Sequence, residues 1–151
     1  DHAEYGKEYL KRISTIPNIE YIELPMDSTH HTVKRDLYRK AKAFLYPVTH
    51  DELFGLVVSE ALACGCPVIT NNRGAMPELI QDAVNGFICN SVQDYREVIL
   101  NKLPEFEDKK HFHNGFNLWL NARNSALKFS WQASALEYEK LYGRVLDGYR
   151  W

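Results

Sequence analysis

The stretch at residues 43–78 constrains the fold of this chain more than any other. It begins with a short apolar run at 43–46, which is rich in aromatic residues and is followed by a proline, as is typical of a buried strand. The next apolar segment, 54–64, is long enough for a buried helix, and Gly65 stands where a glycine C-cap is expected. A second strand, rich in β-branched residues, is predicted at 67–70. A strand, a helix and a strand in this order predict a βαβ unit, in which the two strands are parallel.

The junction before the predicted helix is the candidate site for chemistry. Gly55 lets a ligand approach the backbone closely, and the unpaired N–H groups of a helix start favour an anion, phosphate above all. Glu52 precedes the helix, and Glu60 lies within it on the same helical stripe as Leu56 and Ala63. A carboxylate beside apolar neighbours needs a hydrogen-bonding partner unless it faces water. On spacing alone, the commoner interpretation is that Glu60 belongs to the solvated edge of the helix.

The sequence of this stretch also matches a known pattern. It reads Glu52-Leu-Phe-Gly-Leu-Val-Val-Ser-Glu60-Ala-Leu-Ala-Cys-Gly-Cys-Pro-Val-Ile. This resembles the signature of retaining glycosyltransferases with the two-domain GT-B architecture, of the glycosyltransferase group 1 type. Further pieces of the family pattern match at 74–78, 85–87 and 129–131, in the right order. The resemblance covers nearly the whole chain.

The resemblance implies that residues 1–151 are the C-terminal, donor-binding lobe of such an enzyme, an α/β domain with a Rossmann-like, doubly wound parallel sheet. The family reaction moves a sugar from a nucleoside diphosphate to an acceptor hydroxyl with its anomeric configuration retained. It implies no cofactor and no metal, because a helix dipole and basic side chains take the charge of the leaving group. The expected donor is a GDP- or UDP-linked sugar. The expected acceptor is a glycan or lipid-linked molecule, held by an N-terminal domain that nothing in this chain matches.

The resemblance also implies roles for residues around the helix start. Glu60 would hydrogen-bond the ribose hydroxyls, and Glu52, the predicted catalytic residue, would contact the donor sugar. Both carboxylates are expected to open onto one cleft at the carboxyl ends of the strands. The backbone of residues 54–56 would meet the sugar and the diphosphate. Arg73 could contribute positive charge, and a plain surface arginine is an equal alternative. The full predicted donor-binding set is His50, Asp51, Phe54, Gly55, Leu56 and Glu60.

Two other classes of function stay open at this point. One is a non-catalytic nucleotide-binding or regulatory module of the same fold. The other is a flavodoxin-like interaction domain that binds no sugar nucleotide. The cations that neutralise the diphosphate in the family, an Arg after a Gly and a Lys a few residues later, match nothing in this chain. We therefore expect weak donor binding and no detectable transfer by the 151 residues alone.

Length and composition restrict the number of domains, the kind of partner and the location of the protein. A chain of 151 residues has the length of one domain, and a net charge of −2 without a basic stripe argues against nucleic acid as the main partner. No 18-residue apolar run occurs, so no membrane span is predicted. Cys64, Cys66 and Cys89 include no Cys-x-x-Cys pair and are interpreted as buried, reduced thiols of a cytoplasmic protein, with peripheral membrane attachment as an alternative. His30 and His31 have no carboxylate or cysteine placed to complete a metal site, and they are predicted to lie in a loop.

The other elements are predicted from apolar periodicity and capping residues. Four short parallel strands are expected near 19–24, 43–46, 67–70 and 86–89, with helices on both faces. The sheet order of the family would place two further strands, from a segment before this sequence, between the first two of these. Further helices are predicted at 3–13, 33–42, 77–81, 91–100 with Ser91 as N-cap, 111–128, and 131–148 with Ser130 as N-cap, and a loop is predicted at 102–110.

Overall fold

A computed structural model describes residues 2–107 and 117–148 of the chain. The chain divides into two compact units, residues 1–34 and 35–151, and each is described by itself. The described residues form, in order, α1 (His2–Ile13), α2 (His30–Lys40), β1 (Phe44–Tyr46), α3 (Leu56–Ala63), β2 (Val68–Asn71), α4 (Met76–Leu79), β3 (Gly86–Cys89), α5 (Val92–Glu97), a π-helical turn (Val98–Lys102), α6 (Leu103–Glu107), α7 (Leu118–Ala126) and α8 (Trp131–Leu146).

The first unit contains the predicted helix at 3–13, as α1, but the predicted strand at 19–24 is wrong. Within the described part of the chain, these residues belong to no strand ladder. Their apolar side chains are largely open to solvent, with Ile19 48% and Tyr21 59% exposed. A strand is stable only when a neighbouring strand satisfies its backbone groups and one of its faces is covered. Residues 19–24 have the composition of a strand, but they make none of these contacts with the described residues and therefore form no strand.

The two neighbouring histidines also differ from the prediction, because His30 and His31 lie in the first turn of α2 rather than in a loop. Asp27 explains this early helix start. Its carboxylate accepts a hydrogen bond from the Thr29 backbone N–H at 2.8 Å, and its carbonyl accepts one from the His30 N–H at 3.3 Å. An aspartate-led turn of this kind satisfies groups that would otherwise oppose helix initiation. Among the described residues, no group of His, Cys, Asp and Glu side chains is arranged to hold a metal ion.

The second unit is built on a three-stranded sheet in the order β1–β2–β3. Phe44 pairs with Val68 and Ile69 pairs with Phe87, and both pairs of strands are parallel. The predicted βαβ unit is therefore confirmed, with α3 as its crossover helix. Gly65 follows α3 in the left-handed conformation, at φ 76°, which confirms the predicted glycine C-cap.

Helices cover both faces of this sheet, as a doubly wound fold requires. Val68 packs on one face with Val58 and Leu62 of α3 and with Ala122 of α7. The next residue of β2, Ile69, points to the opposite face because side chains alternate along a strand. It belongs to a second core that the α5–α6 segment covers. The Rossmann-like α/β fold class is thereby confirmed for the described part of the chain. The second core consists of Ile69, Phe87, Cys89, Val98, Leu103 and Leu118.

The predicted loop at 102–110 is wrong in its first part, because Leu103–Glu107 form α6. Leu103 is buried, and the Phe106 ring packs edge-to-face on Phe87 with 5.6 Å between the ring centroids. The burial of Leu103 and the packing of the partly buried Phe106 against the core outweigh the charged composition on which the loop prediction rests. The π-helical turn lies just before Pro104, which has no N–H to donate to a regular helix.

The predicted C-terminal helices at 111–128 and 131–148 correspond to α7 and α8, although residues 111–116 lie outside the described residues. Both predicted serine N-caps are confirmed. The Ser91 hydroxyl oxygen accepts a hydrogen bond from the Asp94 N–H at 3.2 Å, and the Ser130 hydroxyl oxygen accepts one from the Ala133 N–H at 3.1 Å. None of the helices in the described ranges is long and apolar enough to cross a membrane.

Candidate functional site

The carboxyl ends of β1 and β2 hold the loops on which the candidate site is built. Thr70, near the end of β2, donates its hydroxyl hydrogen to the carbonyl oxygen of Tyr46 at 2.8 Å. Asn71 then binds the backbone of Val48 twice, because its Oδ1 accepts from the Val48 N–H and its Nδ2 donates to the Val48 carbonyl, each at 2.8 Å. These bonds fix the start of the loop after β1 at the sheet edge where ligands bind in open α/β folds.

Gly74 allows the loops after β1 and β2 to touch backbone to backbone. Its φ is +55°, and a Cβ at this position would lie 2.3 Å from the Glu52 carbonyl oxygen and 2.5 Å from the Glu52 nitrogen. The next residue, Ala75, donates its N–H to the Glu52 carbonyl at 2.8 Å. Since no side chain fits at residue 74 without moving Glu52, the loop after β2 sets the backbone position of the predicted catalytic residue.

The side chain of Glu52 is mostly buried, with 22% of it exposed. Its Oε2 accepts a hydrogen bond from the Tyr46 hydroxyl at 3.0 Å, and His50 Nε2 lies 3.7 Å from the same oxygen. The bond from Tyr46 lowers the pKa of Glu52 below its ordinary value of 4.5, and hydrogen bonds from the Phe54 and Gly55 amides act in the same direction against the effect of desolvation. Glu52 is therefore a carboxylate at neutral pH, able to accept further hydrogen bonds.

α3 begins shortly after this carboxylate, at Leu56, and Gly55 is its N-cap. The φ of Gly55 is +80°, and its carbonyl accepts the N–H groups of Val58 at 3.0 Å and Ser59 at 3.2 Å. A Cβ here would lie 2.7 Å from the tip of the Met76 side chain. No side chain caps the helix, so its first turn presents backbone N–H groups and the positive end of the helix dipole. This arrangement favours an anionic group of a ligand.

Glu60 lies one turn further along α3, beside a cavity of about 460 Å³. Leu56, Glu60 and Ala63 all line this cavity, as their helical spacing predicts, and Phe129 and Trp131 line its other side. The Oε2 atom of Glu60 is buried, so the carboxylate does not belong to a freely solvated helix edge. The site thus combines a carboxylate with aromatic and aliphatic walls, which suits a ligand with both hydroxyl groups and apolar surface.

The aromatic wall of this cavity connects the start of α3 to the start of α8. Phe54 and Phe129 pack edge-to-face with ring centroids 5.6 Å apart. Trp131 extends from the first turn of α8 and is 89% exposed. Ser59 also lines the cavity, and its buried hydroxyl has no hydrogen-bond partner among the described residues. The sequence pattern around 129–131 indicates the start of a helix, but no signal in the sequence places it against α3.

The predicted site residues are brought together only in part. Phe54 and Leu56 share the cavity of Glu60, whereas Glu52 is not part of the lining and lies beside Tyr46. That both carboxylates open onto one cleft therefore stays a prediction. Asp51 pairs with Arg73, whose Nε lies 3.0 Å from Asp51 Oδ1, and both side chains are well exposed.

Sequence reasoning missed the residues that hold this site in place. Tyr46, Asn71 and Gly74 contact the loop after β1 from the strand before it and from the segment after β2. Gly74 belongs to a piece of the family pattern, but the pattern alone does not indicate that this glycine contacts the backbone of Glu52. Tyr46 and Asn71 carry no such signal, because their partners are set by the pairing of β1 with β2.

Comparison with known sequences gives a family for this chain. The family model described as glycosyl transferases group 1 matches residues 26–116. The chain is 29% identical over 132 residues to an uncharacterised glycosyltransferase of Methanocaldococcus jannaschii, covering 86% of this chain and 35% of that protein. It is 34% identical over 108 residues to the D-inositol 3-phosphate glycosyltransferase of Corynebacterium jeikeium, covering 70% of this chain and 24% of that protein. The chain thus spans about a third or less of the length of these relatives.

Comparison with solved structures agrees with this result. The chain is similar to Anabaena HepE in its crystal structure with UDP, with a TM-score of 0.70 and 23% identity, over 93% of this chain and 37% of that one. The crystal structure of HepE with UDP-glucose matches with a TM-score of 0.66 and 21% identity, over the same shares of the two chains. At this level of identity the likeness shows the fold, that of the C-terminal Rossmann-like lobe of the GT-B architecture. With a family match over more than half of its length and this fold, the chain belongs to the group 1 family of glycosyl transferases.

Proposed function

We propose that this chain is the donor-binding portion of a sugar-nucleotide-dependent glycosyltransferase. In this proposal the whole protein transfers a hexose from a nucleoside diphosphate to an acceptor hydroxyl with retention of configuration. The observation that carries it is the arrangement around α3, where an uncapped helix start lies between the Glu52 carboxylate and the cavity of Glu60. A nucleotide sugar has a matching order of groups, since its diphosphate lies between a sugar and a ribose, both rich in hydroxyls.

The proposed roles follow from the position of each group. The diphosphate binds at the start of α3, because backbone N–H groups and the helix dipole stabilise negative charge there. Glu60 accepts hydrogen bonds from the ribose hydroxyls inside the cavity. Glu52 accepts them from the donor sugar, close to the bond that breaks, and His50 and Asp51 lie beside it in the same loop. No cofactor or metal takes part in the proposed reaction.

The proposed donor is a UDP-linked sugar, with a GDP-linked sugar as the alternative. Support comes from the HepE structures, which were crystallised with UDP and with UDP-glucose. The proposed acceptor is a glycan or lipid-linked molecule bound by a separate N-terminal lobe. We also propose a cytoplasmic location, which agrees with the three free cysteines, since free thiols are usual in reducing compartments.

A second candidate function is a nucleotide-binding or regulatory module without catalysis. It is favoured by one observation, the ion pair between Arg73 and Asp51. An arginine beside the proposed diphosphate site would help the leaving group only if its charge were directed at the phosphates. In the structure the Arg73 guanidinium instead forms an ion pair with the Asp51 carboxylate.

Calorimetric titration of the 151-residue chain with UDP, UDP-glucose, GDP and GDP-mannose tests the proposal. We expect weak but measurable binding, and we expect UDP and UDP-glucose to bind more tightly than GDP and GDP-mannose. Glu60→Gln should raise the dissociation constant of UDP by about 10- to 150-fold, the range for losing a hydrogen bond to a charged acceptor. Glu139→Gln, at an exposed position of α8, is the matched control and should leave binding unchanged.

Three results would decide against parts of the proposal. No binding of any nucleotide would favour the flavodoxin-like interaction domain. Equal UDP affinity of the Glu60→Gln and Glu139→Gln proteins, both folded, would remove the ribose role of Glu60. Binding of UDP without any gain from the attached glucose would favour the non-catalytic module over the donor-binding portion of an enzyme.

A further inference from the structure

Three aromatic side chains form a row along β1, which is an edge strand of the sheet in the described part of the chain. The Tyr38 ring, from α2, packs edge-to-face on Phe44 with 5.3 Å between centroids, and Phe44 stacks on Tyr46 with 5.5 Å between centroids. The two tyrosine hydroxyls at the ends of the row have different acceptors. Tyr38 donates to the carbonyl of Val57 in α3 at 3.3 Å, whereas Tyr46 donates to the carboxylate of Glu52 at 3.0 Å.

Tyr46 is held in place at both its backbone and its ring. Its backbone lies in the β1–β2 ladder opposite Thr70, and the Thr70 hydroxyl donates to its carbonyl at 2.8 Å. Its ring lies against Phe44. Burial and the neighbouring Glu52 carboxylate raise the pKa of the Tyr46 hydroxyl, which therefore stays a proton donor at neutral pH. A donor fixed in this way can orient the flexible side chain of a glutamate.

We propose that Tyr46 is a positioning residue for donor-sugar recognition, because its hydroxyl holds the Glu52 carboxylate in the orientation that meets the sugar. This inference rests on the function proposed above. A carboxylate has about four lone-pair positions, so the bonds from the Tyr46 hydroxyl and from the Phe54 and Gly55 amides leave acceptor capacity for a sugar hydroxyl. Orientation of an acceptor before the ligand arrives strengthens binding by removing the entropy cost of ordering it later.

The groups around Glu52 determine how the proposal can be tested. His50 Nε2 lies 3.7 Å from Glu52 Oε2, and the Asp51–Arg73 ion pair belongs to the same pair of loops. The segment packed behind Glu52, residues 74–76, carries no charged side chain. Removal of the Tyr46 hydroxyl therefore takes away one neutral hydrogen-bond donor to Glu52 and leaves every charge around Glu52 in place. Tyr46→Phe keeps the ring and its stacking, and Tyr38→Phe is the matched control from the other end of the row.

The first measurement is the acid titration of the Glu52 carboxyl carbon by NMR, which needs no ligand. In Tyr46→Phe the pKa of Glu52 should rise toward its ordinary value, because the bond from Tyr46 is the largest of the effects that lower it. In Tyr38→Phe the Glu52 titration should match that of the unmodified chain. An unchanged Glu52 titration in Tyr46→Phe would overturn the inference, since the hydroxyl would then not act on the carboxylate.

The second measurement compares the affinities for UDP-glucose and UDP in each variant. If Tyr46 acts through Glu52 on the sugar, Tyr46→Phe should lower the ratio of the two affinities by about fivefold, the effect of losing roughly one hydrogen bond, while the affinity for UDP stays constant. If Tyr46 had only a general structural role, Tyr46→Phe would lower the affinities for UDP and UDP-glucose by the same factor. That result would overturn the inference. Absence of UDP binding by the unmodified chain would instead reject the proposed function, with the Glu52 titration still deciding whether Tyr46 positions Glu52.

Discussion

Two glycines of this chain relate to their surroundings in opposite ways. At Gly74 the backbone is left-handed, and a Cβ would overlap the backbone of Glu52. Gly143 lies inside the exposed helix α8, and a Cβ there would meet nothing within 4 Å. The first glycine is required by a close approach of two loops, whereas the second only adds conformational freedom to the unfolded chain.

We therefore expect opposite effects from adding one methyl group at these glycines. Gly74→Ala should lower the free energy of unfolding by about 2 kcal/mol or more, since left-handed strain alone costs about 1–2 kcal/mol and the overlap with Glu52 adds to it. Gly143→Ala should raise it by about 0.5–1 kcal/mol, the usual difference between glycine and alanine in a helix. Urea unfolding followed by circular dichroism measures both. Similar stability of the two variants would mean that the loops do not touch as described.

At the scale of elements, the ends of neighbouring strands organise the site. Asn71 is the last residue of β2, and its side-chain amide bonds both the N–H and the carbonyl of Val48. These two bonds take the place of the ladder bonds that a neighbouring strand would make to the chain after β1. Val48 is 5% exposed, so water has little access to these groups. A side chain on β2 thus holds the backbone two residues beyond the end of β1, at the start of the loop that carries His50 and Glu52.

Replacement of Asn71 by alanine should leave two buried backbone groups of Val48 unsatisfied. The expected loss of unfolding free energy is about 1–3 kcal/mol, with faster amide hydrogen exchange at Val48. Asn72→Ala is the control, because this neighbouring residue is exposed and such changes stay within about 0.5 kcal/mol. Unchanged exchange at Val48 in Asn71→Ala would contradict the proposed role of Asn71 in fixing the loop.

For the second unit as a whole, the two faces of the sheet each bury a thiol. Cys66 lies in the core shared with α3, and Cys89 lies in the core on the other face. Burial, together with the nearby Cys64, raises the pKa of Cys66 to about 12, and burial raises that of Cys89 to about 11. Both thiols are therefore protonated in the folded protein under conditions where an unfolded chain would have ionised them.

This difference predicts a loss of stability in alkali. Below the ordinary thiol pKa of 9.0, both states hold the proton and the stabilising contribution of Cys66 is complete, and it is lost as the pH rises from there toward about 12. Urea unfolding under reducing conditions across this range should show the decline. Cys66→Ala should reduce the decline to the part that Cys89 causes, whereas Cys64→Ala, which alters a partly exposed side chain, should retain most of it because burial is the larger cause of the Cys66 shift. An equal decline in both variants would exclude Cys66 as its source.

Much of the candidate site could be predicted from the sequence because its residues are close together in the chain. The position of Glu60 on the stripe of Leu56 and Ala63 depends only on helical spacing, and these residues do line one cavity. The partner of Glu52 could not be predicted. The Tyr46 hydroxyl reaches Glu52 across the turn after β1, and the shape of that turn depends on Asn71, more than 20 residues later in the chain.

The sequence by itself determined what depends on neighbouring residues along the chain. The βαβ unit, the serine N-caps at Ser91 and Ser130 and the glycine C-cap at Gly65 all follow from periodicity and local hydrogen bonding. Only the tertiary structure decided that 19–24 forms no strand and that 103–107 forms a helix. Both outcomes depend on contacts with distant residues, because a strand needs a partner to satisfy its backbone and a charged segment becomes helical when its few apolar side chains find a core.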